Sequence, residues 1–183
     1  RRQRQMCIRD RSKIDNSASP CILFLLDGEV SIDSGEYQNV HIEKDKMVLI
    51  PQHVDNKIEV IYDAKCLLLF WNKDIRVCDK VYMNSLSSYK ERKKEMCVLP
   101  IRDPLQAVLN SIVAYLYAKM QCKHMHLIKQ QEVLLVLRGY YTKKELFTFF
   151  SSILGNTGHF EDFVMNNYRK VKSVKEFAGL YCT

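Results

Sequence analysis

Few side chains in this 183-residue chain combine the types and spacing that chemistry requires. The stretch Asp45-Lys-Met-Val-Leu-Ile-Pro51-Gln-His53-Val-Asp55-Asn56 places His53 in a turn just after a strand-like run. An imidazole there could coordinate a metal, but such a site needs three or four ligands. A solvated turn histidine is the simpler reading. His124-Met-His126 has an i, i+2 spacing, which on a helix points the two rings to different sides, so polarity at a helix start is expected there. The seven cysteines (Cys7, Cys21, Cys66, Cys78, Cys97, Cys122, Cys182) include no CxxC pair. Cys21 and Cys66 stand inside apolar runs, where a reduced thiol behaves as a small hydrophobe. No Ser-His-Asp set, Gly-rich phosphate loop, Walker pattern or paired-carboxylate motif occurs. The residues therefore imply no catalytic group, no metal ligand set and no cofactor.

Binding is the remaining chemistry. Phe24, Tyr62, Phe70 and Trp71 lie in strand-like runs and could line a lumen that contacts a small ligand, with ordinary core packing as the plainer role. Arg169, Lys170, Lys172 and Lys175 cluster around a helix start near Ser173, where basic groups can hold a phosphate backbone. The net charge of +7 is unevenly spread: residues 1–12 carry five Arg and one Asp, leaving only +3 for the rest. That opening dozen has no helical or strand period and resembles a translated sequencing-adapter peptide. It is expected to be a non-native or disordered basic tail, with a genuine basic arm as the alternative. An odd cysteine count and no signal peptide point to reduced thiols in the cytoplasm. No apolar run approaches the roughly 20 residues of a membrane helix, so no membrane partner is expected.

The elements that must position these groups divide the chain in two. From Cys21 to Trp71 it reads as six short strands: Cys21–Leu26, Glu29–Asp33, Val40–Ile42, Met47–Ile50, Lys57–Tyr62 and Cys66–Trp71. Asp27-Gly28 between the first two carries a strong hairpin signal, and Ser34-Gly35 marks another turn. Strands this short and closely spaced predict an antiparallel barrel. After a polar connection at 72–95 the period changes. Pro104 suits a first helical turn, and Leu105, Val108, Leu109, Ile112, Val113 and Leu116 recur at three- and four-residue steps. A second helix over about 126–140 puts Leu127, Gln130, Leu134 and Leu137 on one stripe. Thr142 and Glu145 form a capping box that opens a third helix, with Leu146, Phe149, Phe150 and Ile153, ending at Gly155. Phe160, Phe163, Val164 and Tyr168 continue the helical pattern. Ser173 and Glu176 form another capping box with about ten residues left, too few for a stable lone helix, so the chain reads as a fragment of a longer protein.

Two resemblances follow from these stretches. Asp45 to Asn56 resembles the second conserved motif of cupin barrels, with Pro51 in its Pro position. Asp45 and His53 stand where that motif has glycines, and Asn56 stands in place of its metal-binding His. The order of barrel, helices and basic helix start is similar to that of the AraC family of bacterial transcription regulators. Leu25-Leu-Asp-Gly-Glu-Val30 with Met47–Pro51 resembles their barrel. Cys122–Glu132 followed by Leu137–Glu145 is similar to their linker in gut Bacteroidales, and Phe163–Ala178 resembles the entry to their DNA-binding domain.

The resemblance implies an α+β protein, a cupin-like antiparallel β-barrel followed by an α-helical linker. The expected organisation is a tail (1–12), a sensor barrel with trailing connection (13–99), a helical linker (100–158) and the truncated start of a helix-turn-helix domain (159–183). It implies DNA as a partner of the full-length parent only, a possible small-molecule effector, and a homodimer, for which the apolar period offers the stripe Leu105, Leu109, Ile112 and Leu116. The alternative is a metal-dependent cupin enzyme of isomerase or dioxygenase type.

Overall fold

The run Cys-Ile-Leu-Phe-Leu-Leu at 21–26 offers no polar side, and in the computed structural model both faces of its first five residues are buried. The structure describes residues 4–8, 14, 16, 19–70, 96–120 and 122–153. Six strands form one antiparallel sheet: β1 (Arg4–Ile8), β2 (Cys21–Ser34), β3 (Tyr37–Glu43), β4 (Lys46–Ile50), β5 (Asn56–Phe70) and β6 (Val98–Pro100). β2 pairs with β5 along nearly its whole length. Its other edge pairs first with β4, over Cys21–Leu25, and then with β3, over Glu29–Ser34. The path through the sheet ends at β1 and β6.

These are not the six strands read from the sequence. Asp27-Gly28 is no hairpin turn: β2 runs through it, and the β2–β5 register shifts between Leu25 and Val30. Gly28 sits at φ +80, and a Cβ there would lie 1.9 Å from the Asp63 carbonyl oxygen. A bulge has replaced the turn, because the backbone of β5 passes too close for any side chain. The extra residue also changes which parity faces inward. Cys21, Leu23 and Leu25 share one apolar cluster with Val30 and Ile32. Without a one-residue shift Glu29, Ser31 and Asp33 would point into that cluster instead. Likewise 57–62 and 66–70 are one strand, β5.

Within the expected tail, the backbone of Arg4–Ile8 forms β1 against Ala64–Leu68. An edge strand is held by backbone N–H and C=O groups, so it needs no side-chain period. β6, too short to show a period, pairs with Lys46–Val48. The boundary expected at 99/100 thus falls inside a strand. The Gly35-Glu36 turn between β2 and β3 lies where expected, with Gly35 at φ +60.

Helix α1 spans Asp103–Tyr117 and starts with Pro104 in its first turn. α2 spans Lys123–Tyr140. Residues 143–153 are helical and form α3. Its capping box is realised on both sides: the Thr142 N–H donates to Glu145 Oε2 (2.7 Å), and the Glu145 N–H donates to Thr142 Oγ1 (3.2 Å). Ile22, Phe24, Met47, Leu49, Leu67 and Leu69 on one face of the sheet share a core with all three helices. The α+β class and the order of sheet then helices are as expected. No helix of the described residues is long and apolar enough to cross a membrane. Gly155, the 159–183 segment and its basic cluster Arg169, Lys170, Lys172 and Lys175 lie outside the described residues, as do Trp71 and the 72–95 connection.

Candidate functional site

The cupin-like stretch is left-handed at the two positions where the motif it resembles has glycines. Asp45 has φ +58 and His53 φ +59, the left-handed region that glycine adopts freely. Asp and His are among the non-glycine residues enriched there. Asp45 is pinned by both of its backbone groups: its N–H donates to Leu25 O (2.9 Å) and its carbonyl accepts from the Ile101 N–H (2.7 Å). Asn56, in the place of the metal-binding His, is buried, and its amide is committed elsewhere. Its Oδ1 accepts from the Ile14 N–H (2.8 Å), while Nδ2 donates to the carbonyls of Ile14 (2.9 Å) and Val54 (3.3 Å). Asn16 Nδ2 donates to the carbonyls of Val54 and Pro51, tying the same turn. This corner therefore anchors the chain ahead of β2. Asn56→Ala strands the Ile14 N–H and carbonyl, while Val54 O keeps Asn16, and urea denaturation is expected to show a loss of about 2 kcal/mol.

The sheet interior is filled by side chains. Ile14, Val30, Ile32, Ile42, Ile58 and Leu68 are buried there among other apolar groups. Burial and the nearby Cys66 push the Cys21 thiol up to about 12, which keeps it protonated and unreactive. A cavity of about 20 Å³ opens between Leu49, Cys97 and Phe149 at the sheet–α3 contact, space for about one water.

Of the four aromatics expected to line a lumen, the three that are described do not converge. Phe70 points into the interior cluster, whereas Phe24 points the other way, into the core shared with the helices. Tyr62 is 73% exposed. Phe24 stands opposite Leu67 and Phe70 opposite Cys21, so the cross-strand register, which no single strand's period shows, sets their faces. Of the expected dimer stripe, Leu105, Leu109 and Ile112 are buried in the chain's own core, with Leu116 packed partly against it. The same period that makes a helix stick to a partner makes it stick to a sheet.

A junction that the sequence did not single out joins β6, α1 and α3. The Tyr141 hydroxyl donates to Pro100 O (2.7 Å) and accepts from the Arg102 N–H (3.1 Å). The Arg102 guanidinium lies 4.3 Å from the Tyr141 ring centre, pairs with Glu145 Oε1 (2.7 Å) and donates to Tyr140 O. Burial raises the Tyr141 hydroxyl pKa, against the opposing effect of Arg102. The Thr142 N–H holds the Glu145 carboxyl below its ordinary range; partial burial opposes this, and the Thr142 hydroxyl and Arg102 reinforce it. A carboxyl lowered in the folded state adds stability above its unfolded pKa of about 4.3, and that stability is lost as pH falls through the folded pKa. Glu145→Gln is expected to cost about 1 kcal/mol at pH 7 and to flatten the stability loss below pH 4, read by urea denaturation across pH.

No protein-family model matches the chain, and no curated protein matches it. Among solved structures, it is similar to a cupin-2 domain containing protein from Shewanella frigidimarina (15% identity, TM-score 0.33, 36% of this chain and 65% of that one). It is similar to the cupin domain of Drosophila melanogaster CENP-C (20% identity, TM-score 0.31, 37% of this chain and 53% of that one). It is also similar to a mutant of Bacillus subtilis oxalate decarboxylase (10% identity, TM-score 0.32, 42% of this chain and 22% of that one). The chain thus spans less than two thirds of each of these proteins, and the likeness concerns fold alone.

Proposed function

We propose that the chain is the sensing and linking portion of an AraC-type DNA-binding transcription regulator, without catalytic activity of its own. One observation carries the reading: a single apolar core joins one face of the sheet to α1, α2 and α3. A bound partner or small molecule that shifts the sheet would shift the helices with it, biasing a two-state equilibrium downstream. The Arg102–Tyr141–Glu145 junction stiffens that route where β6 enters α1. The filled interior favours an effector or partner acting at the surface over one held in the lumen.

DNA is the partner of the full-length parent, and a homodimer is its working form. With Leu105, Leu109 and Ile112 buried, the surface for a second copy is the outer side of α2. There Leu127, Ile128 and Leu135 are exposed within an arc of about 100°. The test is the gene beyond codon 183. An open frame continuing into two helix-turn-helix units, with sequence-specific DNA binding by the full-length product, is expected. A continuation into any other domain overturns the reading. A monomer by light scattering at high micromolar concentration overturns the dimer.

A further inference from the structure

On the solvent side of the β2–β3 hairpin, Glu29, His41 and Glu43 bring one imidazole nitrogen and two carboxylate oxygens within 4.8 Å of one another. The register explains the convergence. His41 and Glu43 stand two apart on β3 and so share a face, and Glu29 is the direct cross-strand partner of Glu43. Val30, Val40 and Ile42 point the opposite way, into the interior cluster. The three ligand-bearing residues are therefore carried on paired strands whose other side is locked by apolar packing.

The electrostatics of this trio are unusual for a sheet surface. Two carboxylates directly opposite each other on neighbouring strands repel. Lys44, next in sequence to Glu43, pairs with Asp27 (3.3 Å) and not with either glutamate. Among the described residues, His41 is the group that meets this charge, with its Nε2 2.7 Å from Glu29 Oε1.

We propose that Glu29, His41 and Glu43 form a surface site for a divalent transition cation, of which Zn²⁺ is the reference ion. Nitrogen and carboxylate ligands bind zinc at about 2.0–2.2 Å, which sets neighbouring ligand atoms roughly 3.3 Å apart in a tetrahedron. The 2.7 Å contact must open by about half an ångström to reach that spacing. Both side chains can do so by rotation, since His41 is 49% exposed and Glu29 34%. Water completes the coordination on the open side. The imidazole selects zinc, nickel or copper over magnesium and calcium, which prefer oxygen ligands alone. A bound ion staples β2 to β3 and removes the carboxylate repulsion, so it stabilises the hairpin. The site lies on the opposite side of the sheet from the filled interior, and it does not depend on the regulator reading.

The test is calorimetric titration of the chelator-treated 183-residue chain with ZnCl₂, with MgCl₂ as comparison. One zinc per chain is expected, with no magnesium binding, and zinc should raise the melting temperature. His41→Ala and Glu43→Gln should each weaken zinc by at least about tenfold and abolish the thermal shift. Both positions are exposed, and circular dichroism checks that the variants fold. A competing ligand set exists at the start of α2, where Cys122 Sγ lies 4.0 Å from His124 Nδ1. The double variant His124→Ala/His126→Ala therefore serves as the control and is expected to bind like the unaltered chain. Absence of zinc binding, binding unchanged by His41→Ala, or binding lost only in the control variant would each overturn the site.

Discussion

Gly28→Ala is expected to remove about 3–4 kcal/mol of stability, much of what a domain of this size has. Two costs add. At φ +80 an L-residue is strained, worth about 1–3 kcal/mol. The new Cβ would also fall 1.9 Å from Asp63 O and 2.7 Å from Tyr62 O, and because these are backbone atoms no side-chain rotation relieves the overlap. β5 must separate from β2 at that level, and with it goes the parity shift that turns Val30 and Ile32 inward. Gly35→Ala is the comparison. It shares the positive φ but would meet only Val54 Cγ1 at 3.0 Å, so about 1 kcal/mol is expected. Denaturant titrations followed by circular dichroism measure both. Equal losses at the two positions would show that the close strand passage at Gly28 is absent.

Phe24→Ala should cost about 3–5 kcal/mol, the range for a fully buried aromatic. Its ring is fully buried between Met47 and Leu67, its partners on the flanking strands, in the core shared with the helices. The cavity would open where the sheet meets the helices, so the proposed coupling between them should weaken along with global stability. Tyr62→Ala, from the same group of expected lumen aromatics, should change stability by less than about 0.5 kcal/mol because the side chain is exposed. Comparable losses for the two would mean that the strands face differently from the arrangement described.

The contrast between these two aromatics shows where sequence reading reaches its limit. Thr142 with Glu145 foretold a helix start because a capping box is closed by atoms three residues apart. Leu105, Leu109 and Ile112 foretold the buried side of α1 because the helical period is local. His53, read as a turn residue, does have left-handed backbone. Two cues were ambiguous. Asp27-Gly28 carries the same local signal for a hairpin as for a bulge, and only the passage of β5 decides between them. Leu105–Leu116 carries the same apolar stripe for a second copy as for the chain's own sheet, and only the competing sheet face decides that.

By itself the sequence determined what short-range stereochemistry and period control: the α+β class, the order of sheet and helices, the Thr142–Glu145 cap, and the buried side of α1. Tertiary structure alone decided what depends on residues far apart in the chain. It brought β1 and β6 to the ends of the sheet path and set Asn56 on the backbone of Ile14, 42 residues away. It closed Arg102 onto Tyr141 and Glu145, and it gathered Glu29, His41 and Glu43 across a strand pair. Such contacts are set by register and by which surfaces compete for burial, and neither is written in the spacing of neighbouring residues.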